Sequence, residues 1–192
     1  MNFLAHAYLA HPSEPLIIGN FIGDFVKGKQ VHWYDRDISE GILMHRRIDD
    51  FTDNHPIFKQ SKSRIRNTYK HYSGVIIDLF YDHFLARNWN DYSDIPLQRF
   101  TLSIYDIILE KEEIIPEKAR YMLPFMVQSN WLLNYATVEG IDRSLTGLSR
   151  RTSFRSGMEH ASKDLVRHYE ALEDDFRAFF PEIIDFTANT SY

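Results

Sequence analysis

The chain has no cysteine anywhere in its 192 residues. Disulfides, zinc–thiolate sites and thiol nucleophiles are therefore excluded. Any metal must be held by oxygen and imidazole, a donor set that suits Mn²⁺, Mg²⁺, Fe²⁺ or Zn²⁺. No apolar run approaches the ~18 residues of a membrane span. The opening Met1-Asn2-Phe3-Leu4-Ala5-His6 lacks a positive leader region, and His6, His11 and Pro12 interrupt its apolar stretch. It does not read as a secretory signal, and the expectation is a soluble cytoplasmic protein with no membrane partner. The sequence also lacks a nucleophile elbow, a phosphate-binding loop and a dinucleotide-binding glycine fingerprint. Water activated by a metal is the nucleophile that remains. Excess positive charge is missing too. A formal charge of −5 argues against broad nucleic-acid binding and leaves room only for a local basic patch.

What is present suits a globular chain. Hydrophobic residues make up 44% and charged residues 26%, which excludes wholesale disorder. Aromatics reach 15%, which points to a core rich in Phe and Tyr. The length suits one domain spanning residues 1–192 with a sizeable core. No strand-like alternation of useful length appears, and no repeat or low-complexity tract. Apolar stripes at helical spacing predict helices over about 2–11, 15–26, 39–51 (with Ser39 as N-cap), 57–70, 75–90, 96–113, 118–135 (kinked at Pro124), 139–148 and 158–180. Residues 27–37 read as a loop, and Arg150-Arg151 with Ser153–Gly157 read as a basic loop. The fold class is all-α, a single compact domain of about seven to nine helices.

Polar groups intrude on three of these apolar helices. In Ile77-Asp78-Leu79-Phe80-Tyr81-Asp82-His83-Phe84-Leu85, Asp78 and Asp82 are four apart, roughly 40° of rotation, so their carboxylates overlie one another. His83 is turned about 100° from Asp82 and is near enough to reach one ion from a neighbouring edge. Burying such groups costs several kcal/mol unless a cation or protons compensate, so partners are needed elsewhere. Asp24, in a hydrophobic run beside Gly23, is one candidate. His45 and Asp49, again four apart, are a second; they form either two ligands or a ligand with its orienting carboxylate. His6 is a further ligand or proton carrier. Arg46 and Arg47 follow His45, and one of them could grip a phosphate through its planar fork. Lys27, Lys29, Lys62, Arg64 and Arg66 supply a candidate basic patch. An oxygen-rich set mixed with imidazole suits a hydrolase whose metal activates water.

Several ordered blocks resemble the acyl carrier protein phosphodiesterases. They are Met1–His6, Gly19-Asn20 with Asp24-Phe25-Val26, Met44–Asp49 with Thr52-Asp53-Asn54, Asp82-His83-Phe84-Leu85, and His168–Glu173. The resemblance implies an all-helical fold distantly related to HD-type metal phosphohydrolases. Here the adjacent pair is in reversed order, as Asp82-His83. It also implies removal of the 4′-phosphopantetheine arm from holo acyl carrier protein with Mn²⁺ or Mg²⁺. On that expectation Asp24, His45, Asp82 and His83 hold the metal, and Asp78 is a further ligand or water-orienting base. Arg46 or Arg47 steadies the phosphoryl oxygens, and His6 or Asp49 gives the leaving serine its proton. Lys27, Lys29, Arg64 and Arg66 form a basic rim for the acidic carrier. Two alternatives are an HD-like phosphohydrolase of nucleotides or other small phosphodiesters, and a helical protein that binds the carrier without cleaving it.

Overall fold

A computed structural model describes residues 1–152 and 155–190. Among these residues there are eleven α-helices and no strand. They are α1 (Phe3–Ala10), α2 (Glu14–Ile22), α3 (Arg36–Asn54), α4 (Pro56–Tyr69), α5 (Ser73–Arg87), α6 (Leu97–Leu109), α7 (Glu117–Gln128), α8 (Trp131–Asn134), α9 (Val138–Arg151), α10 (Ser162–Arg167) and α11 (Tyr169–Ala188). Short 3-10 turns join several of them, among them Gly23–Phe25, Gly28–Trp33 and Lys70–Tyr72.

The all-α class holds, and the count exceeds seven to nine for two local reasons. The stretch expected as one kinked helix over 118–135 breaks where Asn130 adopts a left-handed conformation (φ 39°) and caps α8 with its side chain. The long C-terminal helix is divided at His168, whose backbone leaves the helical region between α10 and α11. Elsewhere the boundaries move. Ser39 is not an N-cap: α3 starts at Arg36, and the Ser39 hydroxyl instead donates to the carbonyls of Val31 and Tyr34. Arg150 and Arg151, expected in a loop, form the last turn of α9, and Ser153 and Phe154 lie outside the described residues.

The core is the aromatic one that the composition implies. Phe58, Phe80, Tyr81, Phe84, Phe176, Phe179 and Phe180 are fully buried between α4, α5 and α11. Phe58–Tyr81 (5.6 Å) and Tyr81–Phe176 (5.6 Å) meet edge-on and Phe176–Phe180 stack at 4.9 Å, arrangements that ring quadrupoles favour. α2 and α3 approach until their backbones touch. A Cβ on Gly19 would lie 2.3 Å from the Ile38 carbonyl oxygen, and one on Gly41 would lie 2.8 Å from that of Leu16. That approach brings the C-terminal turn of α2 against the middle of α3, where His45 sits. Among the described residues no helix is long and apolar enough to cross a membrane.

Candidate metal centre

α1, α2 and α3 converge on two stacked imidazoles. The rings of His6 (α1) and His45 (α3) lie 4.1 Å apart at 19°. One residue of α2 orients both. The Asn20 side-chain amide donates to the Leu16 carbonyl at 3.0 Å, which turns its oxygen towards His6. His6 Nδ1–H donates to that oxygen at 2.9 Å, and His45 Nδ1–H donates to the Asn20 main-chain carbonyl at 2.9 Å. With both Nδ1 atoms protonated, each neutral ring presents its Nε2 lone pair on the other side.

Those lone pairs face carboxylates. His6 Nε2 is 3.2 Å from Asp49 Oδ1, and His45 Nε2 is 3.1 Å from Asp49 Oδ2 and 3.4 Å from Asp24 Oδ1. Lone pair against carboxylate is repulsive unless a proton or a cation sits between them. His45 Nε2 is buried and makes no hydrogen bond of acceptable geometry despite its short carboxylate distances. Such an orphaned atom, with donors spaced near the ~3 Å expected of neighbours around an ion with bonds of about 2.1 Å, fits a metal ligand. The ligand atoms of His6, His45 and Asp49 all lie within 4.8 Å of one another. The close fit extends to the backbone: a Cβ on Gly23 would fall 2.3 Å from His45 Cγ, so glycine leaves the ring its place.

Electrostatics agree with the geometry. Burial disfavours a charged His45, but the carboxylates of Asp24 and Asp49 outweigh it and raise the ring to about 9. Burial and the neighbouring His45 lower His6. Burial would raise Asp49, yet contacts with His45 and His6 bring it well below the usual carboxylate range. The contact with His45 likewise lowers Asp24.

The expected site residues separate into three groups. His6, Asp24, His45 and Asp49 are brought together. Asp82 and His83 are not brought to this cluster. Asp82, with 0% exposure, accepts from the backbone N–H groups of Leu4 (2.8 Å), Asn2 (3.3 Å) and Ala5 (3.3 Å), the unpaired donors at the start of α1. Burial raises its carboxyl to about 7 against the pull of those donors. The His83 ring bridges the Tyr135 carbonyl (2.8 Å) and the Tyr169 hydroxyl (2.9 Å). Asp78 also stands apart, accepting from the Met1 amino group at 2.8 Å.

The phosphate-gripping and partner residues divide similarly. The Arg46 guanidinium donates to the carbonyls of Val26 and Gly28 and so holds the loop after Asp24, while Arg47 is exposed. A cavity of about 540 Å³ opens on Asp24, Asp49 and Asp78, and among the described residues the arginines on its wall are Arg143 and Arg151 of α9. Sequence reasoning missed these two and Asn20. The Arg64 guanidinium is committed to the buried Asp175 (3.0 Å), whereas Arg66 joins Lys62, Lys70 and His71 around a shallower basin. That basin shares Asp53, Val75 and Asp78 with the first cavity. Lys27 and Lys29 are exposed.

An all-α protein whose helices set two oriented imidazoles against carboxylates at the mouth of a cavity has the candidate centre of a metal-dependent hydrolase. The chain belongs to the acyl carrier protein phosphodiesterase family, whose model matches residues 1–183. It is 34% identical over 186 residues to an acyl carrier protein phosphodiesterase of Escherichia coli O6:H1, covering 96% of both chains. It is also 34% identical over 185 residues to those of Salmonella dublin and Enterobacter sp. (strain 638), again over 96% of each. No solved structure matches.

Proposed function

We propose that the chain is a metal-dependent phosphodiesterase that removes the 4′-phosphopantetheine arm from holo acyl carrier protein and leaves the apo protein. The observation that carries this reading is the pair of imidazole Nε2 atoms, both turned by Asn20 towards the carboxylates at the cavity mouth. Family membership supports the substrate.

His6, His45 and Asp49, with Asp24 at the exposed edge, would hold a divalent ion, Mn²⁺ or Mg²⁺. Bound there, such an ion supplies Lewis acidity towards a phosphoryl oxygen and a water of lowered pKa. The protein's own groups take the remaining roles. Asn20 fixes both rings before substrate arrives, which removes reorganisation from the reaction. Asp49, held well below the usual carboxylate range, serves as a ligand and not as the acid. Both nitrogens of His6 are engaged, so it too is a poor proton carrier. The leaving serine oxygen takes its proton from water in the open cavity, which Asp78, on the wall and paired with the Met1 amino group at 2.8 Å, orients. Arg143, on the same wall, replaces Arg46 and Arg47 as the cation for the phosphoryl oxygens. Lys62, Arg66 and Lys70 around the adjoining basin, with Lys27 and Lys29, attract the acidic carrier, while Arg64 holds α4 to α11.

The test is incubation of the protein and Mn²⁺ with holo carrier protein, followed by mass spectrometry of the carrier beside a nucleotide panel. The expected result is loss of the phosphopantetheine mass by the parent protein and none by His45→Ala. Turnover of nucleotides with an intact holo carrier would replace this reading with that of a small-molecule phosphohydrolase.

A further inference from the structure

Gly140, Arg143, Ser144, Gly147, Leu148 and Arg151 all line the cavity that opens on Asp24 and Asp49. Their spacing of three and four residues puts them on one face of α9. That face is not the packing face. The apolar seam of α9 is Ile141 and Leu145, both fully buried in the core. Beyond Gly140, which packs on α8, the neighbouring stripe of Arg143, Ser144, Gly147 and Arg151 lies along the cavity.

Gly147 is the telling residue. Glycine inside a helix is destabilising relative to alanine, because it has more backbone freedom to lose. At four other positions close packing explains such a cost: a Cβ on Gly140 would lie 1.8 Å from the Asn134 carbonyl oxygen, and one on Gly19, Gly23 or Gly41 would fall within 3 Å of a neighbour, while the open Gly74 is only the second residue of α5. At Gly147 the nearest atom to an added Cβ is Arg151 Nη2, at 3.8 Å, so packing demands nothing there. The space beside Gly147 belongs to the cavity.

We propose that this face of α9 is the seat of the pantetheine arm, with Gly147 leaving room for the chain to lie against the helix. The inference rests on the carrier-protein reading above. The cavity, about 540 Å³, has the size of a small-molecule site. Its carboxylates gather at the mouth with Asp24, Asp49 and Asp78, where the phosphate end belongs. Elsewhere the wall offers neutral hydrogen-bonding groups (Ser129, Asn134, Ser144) beside the apolar surfaces of Trp131 and Leu148. This mixture suits an uncharged chain of amides and methylenes, which is what pantetheine is beyond its phosphate. Arg151 is wall and not counter-ion: its guanidinium lies 5.6 Å from the Trp131 ring centroid, and its Nε donates to the Gly147 carbonyl.

The experiment titrates free pantetheine into the metal-free protein and follows binding by ligand-observed NMR, for the parent, Gly147→Ala and Gly147→Leu. Binding should weaken at least tenfold in Gly147→Leu and about threefold in Gly147→Ala. Both variants should melt at or above the parent temperature, as loss of a helical glycine requires. If the leucine disturbs the fold, the alanine variant decides by the same criterion. Equal affinity in parent and variants, or no binding to the parent, overturns the proposal. The mass-spectrometric assay above judges the carrier reading separately. Failure there with pantetheine binding still sensitive to Gly147 would remove the reaction and keep the site.

Discussion

Asp82 provides the sharpest test, because a capping role and a ligand role predict opposite behaviour for one substitution. Asp82→Ala would strip the acceptor from three N–H groups, those of Leu4 (2.8 Å) and Ala5 (3.3 Å) buried and that of Asn2 (3.3 Å) partly so. An unsatisfied buried donor costs about 1–3 kcal/mol, and the two longer contacts count at the low end, so the sum is roughly 3–5 kcal/mol. Part of the carboxylate's gain is already offset by its own desolvation, which is what raises it to about 7, so the lower figure is favoured. Asp82→Asn keeps one carbonyl oxygen, able to serve Leu4 and one neighbour, and should cost only about 1–2 kcal/mol. At about 2–4 °C per kcal/mol for a chain of this size, Tm falls by about 10 °C for alanine and by about 3–5 °C for asparagine. The Asn deficit narrows with pH. A carboxyl raised from 3.8 to about 7 contributes stability that is present below pH 3.8 and lost as pH rises through 7, and asparagine has no such loss. Calorimetric melting of the metal-free proteins measures the first quantity. Mn²⁺ titration in the cold, with every variant folded, measures the second: Asp82→Asn should bind within about threefold of the parent. Near-parent stability with a tenfold or greater loss of Mn²⁺ binding in Asp82→Asn would show that Asp82 touches the ion, and would refute the capping account.

Gly23→Ala places a Cβ 2.3 Å from His45 Cγ, so the ring must leave its position; Mn²⁺ affinity should fall at least tenfold by calorimetric titration. In the metal-free protein, His45 raised from 6.5 to about 9 contributes stability that is complete below pH 6.5 and lost as pH climbs through 9, while Asp49 and Asp24, both lowered, contribute above 3.8 and lose it in acid; Tm measured across pH should therefore decline between 6.5 and 9. Arg64→Ala uncovers the buried Asp175 and should cost about 3 kcal/mol in chemical denaturation with little change in KM for the carrier, whereas Arg66→Glu should raise KM and flatten its salt dependence at no cost in stability.

The sequence made legible what depends on local geometry. His45 and Asp49 are four apart on one helix, and that spacing alone brings their donors together. The fold class follows from helical periodicity in the same way. What stayed hidden is set by distant backbone. Asp78, Asp82 and His83 have spacing as suggestive as that of His45 and Asp49, but the groups awaiting Asp82 are main-chain N–H donors at the start of α1, which leave no mark in a side-chain pattern. Asn20 is similarly silent, since a neutral amide carries no charge to flag it as the residue that sets two imidazoles. The α9 stripe could be written down from residues 140–151, yet nothing in it says that it faces Asp24. Arg64 looked available because its partner, Asp175, lies more than a hundred residues on.

The pair that seemed to demand a cation therefore has another physical reason to be buried. Asp82 and His83 are adjacent on α5, about 100° apart around the helix, so they reach into different neighbours. Asp82 grips the first turn of α1, the helix that carries His6 to the candidate metal centre. His83 grips the Tyr135 carbonyl just beyond α8, and Tyr135 is part of the cavity wall. One side chain thus fixes the near side of the cavity, where the phosphate would sit, and the other fixes the far side, where the arm would lie. The desolvation of both polar groups, costly in isolation, is offset by satisfying backbone groups that would themselves be buried and unpaired. Replacing either should loosen one wall and not the other. Asp82→Ala, which removes the acceptor altogether, would then act first on the position of His6, and His83→Ala on pantetheine binding, with Mn²⁺ affinity little changed in the second.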